Sequence, residues 1–278
     1  MKMHGIEEAR RAFANAQALL ITAGAGMGVD SGLPDFRGDE GFWRAYPVAK
    51  KLGLRFVELA NPRWFEEDPA LAWAFYGHRL QLYRTCRPHR GFSMLLETMG
   101  RKEEGFVFTS NVDGQFQKAG FDETSIVECH GTIHYLQCTR CDGGIWSAKE
   151  VEVPVDMATF RALSWPHCPH CGATARPNIL MFGDWDWDSR RSDEQQLRFE
   201  DFLQRVIVKR LDLIIVEIGA GTAVPTVRLT GERLAKELGA KVIRINPREP
   251  EIDPALGWGL PMGGLEGIAT LTGRSGDA

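Results

Sequence analysis

The chain has 278 residues, of which 44% are hydrophobic and 25% charged, with a formal net charge of -4 and a pI near 6.0. These proportions exclude a disordered chain, and no apolar run approaches the roughly 20 residues that a bilayer span requires. The acidic balance argues against a dedicated nucleic-acid binder, and the charged start Met1-Lys2-Met3-His4-Gly5-Ile6-Glu7-Glu8 lacks the apolar segment of a secretory signal, so a cytoplasmic location is expected.

Ile6, Ala9, Phe13 and Ala16 recur at helical spacing, which predicts a helix from Ile6 to Gln17, and Ala18-Leu19-Leu20-Ile21-Thr22 reads as a buried strand. The stretch from Gly24 to Gly38 then joins a Gly24-Ala25-Gly26 turn to a loop holding Asp35, Phe36 and Arg37. Residues without a Cβ let backbone N–H groups approach a pyrophosphate closely. A Gly-x-Gly after a strand also describes a merely tight turn, but an ordinary dinucleotide fold has a plain helix where this chain has Pro34-Asp35-Phe36-Arg37. From about Gly41 to Thr98 the composition predicts several helices, one of them around Pro69 to Arg87, and the basic group Arg84, Arg87, His89 and Arg90 reads as a solvated helix end.

Strands are predicted at Gly105–Thr109, ending in Ser110-Asn111-Val112-Asp113, and at Ser125–Glu128, just before His130. In open parallel sheets ligands bind beyond the carboxyl ends of the strands, so these polar ends should face the crevice of the glycine turn. Residues from Cys138 to about Arg176 form a cysteine-bearing insertion. A strand at Leu211–Gly219, a helix at Val227–Leu238 and a strand at Lys241–Asn246 make a βαβ unit, and a short helix is expected after Gly263.

Cys138-Thr139-Arg140-Cys141 and Cys168-Pro169-His170-Cys171 are two Cys-x-x-Cys pairs at ribbon-type spacing. Each pair offers two thiolates to one tetrahedral Zn²⁺, and four thiolates leave no open position for substrate, so a structural zinc is expected. Disulfides are the weaker reading in a chain without a secretory signal. His167 and His170 are then expected to be exposed, while Cys86 and Cys129 read as small buried hydrophobes.

The Gly-Ala-Gly turn running into Ser31-Gly32-Leu33-Pro34-Asp35-Phe36-Arg37-Gly38, then Asn111-Val112-Asp113, His130-Gly131 and the two cysteine pairs, resembles the sirtuin family in content and order over about residues 18 to 250. That resemblance implies an α/β fold in which a Rossmann-like parallel sheet formed by residues 1–45, 90–135 and 180–278 binds NAD. A helical insertion at 46–89 and a zinc-ribbon insertion at 136–179 would form the small domain. It also implies an NAD-dependent protein lysine deacylase that acts on acylated lysine side chains and releases nicotinamide, free lysine and O-acyl-ADP-ribose, with neither nucleic acid nor membrane as a partner. Gly24, Ala25 and Gly26 would receive the pyrophosphate, and Asp35, Phe36 and Arg37 would belong to a mobile cofactor loop in which Phe36 shields the sugar carbon from water. Ser110, Asn111, Val112 and Asp113 would hold nicotinamide and its ribose, with Gly219, Gly221 and Asn246 on the adenosine side. His130 matches the family's base, and an imidazole with an ordinary pKa near 6.5 can take a ribose hydroxyl proton at cellular pH.

Tyr76 and Arg79 are similar to the Tyr-x-x-Arg pair that grips an acyl carboxylate in the desuccinylase and demalonylase branch; an aromatic packing residue beside a solvated arginine is the other reading. Several positions depart from the family pattern: Gly28 for a serine, Ser110 for a glutamine, Gln115-Phe116 for Leu-His, Gly219-Ala220-Gly221-Thr222 for Gly-Thr-Ser, and Phe182-Gly183-Asp184 for Phe-Gly-Glu. Ser110 and Gln115-Phe116 motivate an alternative in which the same site works as an ADP-ribosyltransferase or NAD hydrolase. A non-enzymatic NAD or nucleic-acid binding module is a third, which intact Asn111, Asp113 and His130 oppose. Trp185-Asp186-Trp187-Asp188 is an acidic-aromatic stretch that reads either as a border of the peptide groove or as an exposed loop with packed tryptophans, the latter being expected.

Overall fold

The computed structural model describes residues 3–34, 38–51 and 53–274. Its elements in chain order begin with α1 (Met3–Asn15), β1 (Ala18–Ala23) and a 3-10 turn over Ala25–Ser31. Helices α2 (Gly38–Ala45), α3 (Pro47–Lys51), α4 (Phe56–Leu59), α5 (Trp64–Glu67), α6 (Pro69–Thr85) and α7 (Arg90–Met99) follow, and then β2 (Glu104–Thr109), α8 (Gln115–Lys118) and β3 (Ile126–Glu128). The ribbon segment carries β4 (Gly131–Cys138), β5 (Ile145–Ser147), β6 (Val155–Asp156), β7 (Arg161–Ala162) and β8 (Ala175–Ile179). The chain closes with α9 (Arg190–Lys209), β9 (Leu213–Ile218), α10 (Thr226–Leu238), β10 (Lys241–Ile245), β11 (Gly257–Leu260) and α11 (Gly264–Thr272). Among the described residues no helix is long and apolar enough to cross a membrane.

Six strands form one parallel sheet in the order β11-β10-β9-β1-β2-β3. Counted within that sheet this is the order 3-2-1-4-5-6 of dinucleotide-binding folds, whose direction of winding reverses between β1 and β9. The apolar runs in β1 and β9 are buried throughout because helices cover both faces. Leu19, Ile21, Ile214 and Val216 point into one core with Phe13, Phe92 and Ile268, while Ala18, Leu20, Leu213 and Ile215 point into the other with Phe199, Phe202 and Leu234. A third core lies away from the sheet, where Phe42, Tyr46, Phe65, Trp73 and Phe75 pack with Ile133, Leu136, Phe160 and Ala175. The indole of Trp73 donates to the Ala175 carbonyl at 2.9 Å and ties α6 to β8.

On the α10 face the buried residues Thr22, Glu217 and Arg244 stand side by side across β1, β9 and β10. Arg244 grips both oxygens of Glu217, at 2.6 and 3.1 Å, and reaches Glu232 at 2.7 Å and the Glu251 carbonyl at 2.6 Å. A buried pair is tolerable when its hydrogen bonds are met in this way. Arg84 and His89 correct the reading of a solvated helix end. Arg84 donates to the carbonyls of Val151, Ala148 and Lys149, and buried His89 accepts from Gly91 N and lies 2.9 Å from the Met27 carbonyl.

The turns after β1 and β9 touch backbone to backbone. A Cβ on Gly26 would lie 2.6 Å from Gly219 Cα, and one on Gly219 would lie 2.4 Å from Gly26. Gly219 also has φ +63°, a left-handed conformation that costs a side chain about 1–2 kcal/mol. Gly239 has φ +66° with open space around it. Gly239→Ala is therefore expected to lose about 1 kcal/mol and Gly219→Ala at least about 3 kcal/mol in urea unfolding, the difference reporting the close approach. Equal losses would show that the two turns have room to separate.

Candidate active site

The crevice at the carboxyl ends of β1 and β9 opens into a cavity of about 780 Å³ that runs between the sheet and the third core. Gly24 and Ala25 form one wall, and Ala220, Gly221 and Thr222 form the facing one. Gly24 N donates to the Ile218 carbonyl at 2.9 Å, and Gly26 N donates to the Gly219 carbonyl at 3.0 Å. The Ala220 carbonyl accepts from Asn246 Nδ2 at 2.7 Å and from Arg228 Nε and Nη2 at 3.1 and 3.0 Å. Asn246 Oδ1 meanwhile accepts from the Arg248 and Glu249 amides. Gly26, Gly219 and Asn246 thus stand behind the cavity wall and shape it, whereas Gly24, Ala25 and Gly221 line it. The absence of side chains where the two turns meet leaves a cradle of the kind that accepts a pyrophosphate.

The loop after β2 supplies the next wall through Ser110, Asn111, Val112 and Asp113. Thr109 Oγ1 donates to the Ala23 carbonyl at 3.0 Å and accepts from Asn111 N, while Asn111 Nδ2 donates to the Gly24 carbonyl at 3.0 Å. Asn111 is therefore tied to the glycine turn itself. His134 Nε2 lies 2.9 Å from the Asp113 carbonyl, and the Asp113 carboxylate accepts from Gln115 N at 2.9 Å. Burial pushes the Asp113 carboxyl up to about 6, against that hydrogen bond and the charge of Arg79.

His130 joins β3 to β4 and lines the same cavity. Its carbonyl accepts from Leu180 N at 3.0 Å, and a Cβ on the next residue, Gly131 at φ +73°, would lie 2.1 Å from the Asn178 carbonyl oxygen. Glycine is required there for β8 to pass. The ring Nε2 is 3.4 Å from Thr226 Oγ1, and burial holds the imidazole below its ordinary pKa, so it is neutral at pH 7 and able to accept a proton.

Tyr76 and Arg79 lie on buried α6 and both line the cavity. Arg79 is not a solvated arginine. Its Nε and Nη2 donate to Tyr83 Oη at 3.1 and 2.7 Å, and its guanidinium carbon lies 5.0 Å from the Phe75 ring centre and 5.6 Å from that of Tyr76. Burial pushes the Tyr76 phenol up to about 12, so it remains a donor at any physiological pH. Tyr83 was not singled out from sequence, although it follows Arg79 by four residues on the same helix face. Thr226, Arg248, Glu249, Leu180 and Met181 were likewise missed, while Phe182 was marked only as part of the Phe-Gly-Asp departure. Asp35, Phe36 and Arg37 lie outside the described residues, although Leu33 and Pro34 before them line the cavity.

The cysteines meet as the ribbon spacing predicts. All four Sγ atoms lie within 4.8 Å of one another, with Cys138 to Cys171 at 3.5 Å and Cys141 to Cys168 at 3.6 Å. A tetrahedral zinc with Zn–S near 2.3 Å needs sulfurs about 3.8 Å apart, so the set fits Zn²⁺. The Arg140 and Cys141 amides donate to Cys138 Sγ, each at 3.3 Å, as in a metal knuckle. None of the four lines the cavity, and His167 and His170 are exposed. Cys129, beside His130, is partly buried, and burial pushes its thiol up to about 12.

An acid whose folded pKa exceeds its unfolded value destabilises the fold as pH rises between the two, here from 3.8 to about 6. Asp113→Asn keeps an acceptor for Gln115 N and removes the buried charge. It is expected to be about 1–3 kcal/mol more stable than the parent at pH 7.5, with the gain vanishing below pH 4. A variant less stable at both pH values would show that the carboxylate supports the fold.

A family model for the Sir2 family matches residues 24–220. NAD-dependent protein deacylase 1 of Caldanaerobacter subterraneus subsp. tengcongensis is 31% identical over 248 residues, 89% of each chain. The NAD-dependent protein deacylase of Thermococcus sibiricus is 31% identical over 251 residues, 90% of this chain and 88% of the relative. A solved Sir2 homologue in complex with NAD aligns with a TM-score of 0.70 at 26% identity, across 96% of this chain and 92% of that one. A mutant Sir2 homologue bound to ADP-ribose aligns with a TM-score of 0.68 at 26% identity, across 96% and 94%. The chain belongs to the Sir2 family, the sirtuins.

Proposed function

We propose that this protein is an NAD-dependent protein lysine deacylase and that its acyl pocket is built for an acyl group ending in a carboxylate. The observation that carries the first part is the convergence of Gly24, Asn111, Asp113 and His130 on one cavity at the switch point of the sheet. Relatives named as NAD-dependent protein deacylases, and Sir2 homologues solved with NAD and ADP-ribose, support the same reading. When bound, NAD supplies the glycosidic bond to be broken and the ribose that receives the acyl group. The bare turns at Gly24-Ala25 and Gly221 give its pyrophosphate room to approach backbone. Asn111 and Asp113, fixed through Thr109, Gln115 and His134, orient the nicotinamide end. Neutral His130 accepts the ribose hydroxyl proton. The zinc holds the ribbon and takes no proton or substrate.

The second part rests on Tyr76 and Arg79. A guanidinium kept among phenol and phenyl rings at a cavity wall is ready to meet an anion without desolvating again, and the Tyr76 phenol adds a second donor. Tyr83 holds Arg79 from behind. An acetyl group offers that pair nothing, whereas a succinyl or malonyl carboxylate offers two oxygens.

Incubation with NAD and acetyl-, succinyl- and malonyl-lysine peptides, with products identified by mass, tests both parts. O-acyl-ADP-ribose formed only in the presence of acylated peptide is the expected result, and free ADP-ribose released without peptide would establish hydrolysis instead. His130→Ala is expected to lower kcat about 10²–10⁴-fold. The parent's rate should fall only below pH 6.5, the side to which burial moves the imidazole. Arg79→Met is expected to cut kcat/KM for succinyl peptides at least about 10-fold and to leave acetyl peptides within about 2-fold, as a buried charge-assisted hydrogen bond implies. Equal losses on both would discard the carboxylate grip.

A further inference from the structure

The loop between β8 and α9 combines a rigid backbone with an unprotected indole. Leu180, Met181 and Phe182 run along the cavity edge, and the chain continues through Gly183 to Ser189 without regular structure. Asp184, its side chain wholly buried, receives both arms of buried Arg176 at 2.6 and 2.9 Å and also accepts from the Met181 and Asp186 amides. Gln137 Nε2 donates to the Asp186 carbonyl at 2.8 Å, while its Oε1 accepts from the Asp188 amide and from Asn178 Nδ2. Asn178 Nδ2 also donates to the Asp188 carbonyl at 2.8 Å. Residues 184, 186 and 188 are thus bolted to the ribbon sheet from beneath.

Trp185 stands between the first two of these anchors and is 95% exposed, which corrects the expectation of packed tryptophans for this residue. An exposed large apolar side chain on a fixed backbone is informative in a way that scattered surface leucines are not. Trp185 follows the exposed cavity-lining residues Leu180 and Phe182 by five and three positions in the chain, and Val57 and Val224 are exposed on other parts of the lining. Phe182 packs its ring edge-on against Phe56, and its amide donates to the Ala60 carbonyl. Next to Trp185, the exposed Asp186 carboxylate has no ion-pair partner among the described residues. The neighbouring Asp188 differs, being held by Arg190 at 2.5 Å.

We propose that Trp185 and Asp186 form a recognition spot for a basic side chain, arginine above all, that flanks the acyl-lysine of the substrate. A guanidinium stacks on an indole face and pairs with a carboxylate through the same planar group. The rim residue Phe182 lies three positions from Trp185, a span of at most about 10 Å of extended chain, so the basic residue lies within about three positions of the acyl-lysine. The inference rests on the deacylase reading for its occupant, because the acyl-lysine would enter at the cavity lined by Phe182, three positions before Trp185.

The test uses the zinc-loaded full chain and labelled acyl-lysine peptides of equal length, with Arg, Leu or Glu at positions two and three on either side of the lysine. Binding is read by fluorescence anisotropy and turnover by nicotinamide release. The Arg peptides are expected to bind about 3- to 10-fold more tightly than the Glu peptides, with the Leu peptides between and with the difference in KM and not in kcat. Trp185→Ala and Asp186→Asn should each shrink that ratio, and Trp185→Phe should keep most of it. Equal binding of Arg and Glu peptides, Leu peptides binding as tightly as Arg, or a ratio untouched by Trp185→Ala would overturn the inference. Failure to turn over any acylated peptide would overturn the deacylase reading instead, while the binding ratio still decides the charge preference.

Discussion

The glycine turns after β1 and β9 press together where the winding of the sheet reverses, and the remaining features of the site take their places from that contact. With Gly26 and Gly219 backbone to backbone, no side chain fills the gap between two strands whose helices leave in opposite directions. The crevice is therefore a consequence of topology, and its bare walls are a consequence of residue choice. Asn111 is hydrogen-bonded to Gly24, and Asn246 with Arg228 holds Ala220, so the polar loops that complete the cavity are referenced to the same two turns.

Burial then sets the chemistry. Enclosing His130 favours its neutral form, which a base requires, and enclosing Asp113 raises its carboxyl toward physiological pH at a cost to folding. The positive charge of Arg79 is retained at the cavity because three rings and a phenol oxygen surround it. Each of these groups is less comfortable there than a hydrophobic residue would be, and in the proposed reaction they would serve as proton acceptor, fixed acceptor and cation. The zinc cluster acts at a remove. It closes the end of β4, whose other end begins beside His130.

Much of this was legible in the chain. The apolar runs of β1, β9 and β10 declare buried parallel strands, and the two cysteine pairs declare one metal cluster, because both signals are local. Other features were hidden for physical reasons. In β11, Gly257-Trp258-Gly259-Leu260 carries no strand pattern, since glycines are what allow it to lie against Val242 and Pro250. The helix α9 does show its stripe of Phe199, Phe202 and Val206, and was passed over among charged residues. Asn246 and Gly219, which the resemblance puts on the adenosine side, are buried and lie outside the cavity lining. Arg84 and His89 look like surface charges because the carbonyls they satisfy come from segments remote in sequence. Trp185 reads as a packing residue until its neighbours are seen to anchor the loop without covering it.

The central claim is that the crevice between the two glycine turns holds the dinucleotide with its reactive ribose at His130. A crystal structure of the complex with ADP-ribose tests it most directly. The pyrophosphate should lie against the backbone of Gly24, Ala25 and Gly221, with a ribose hydroxyl within hydrogen-bond distance of the His130 ring. A ligand bound elsewhere, or a ribose turned away from that imidazole, would contradict the account.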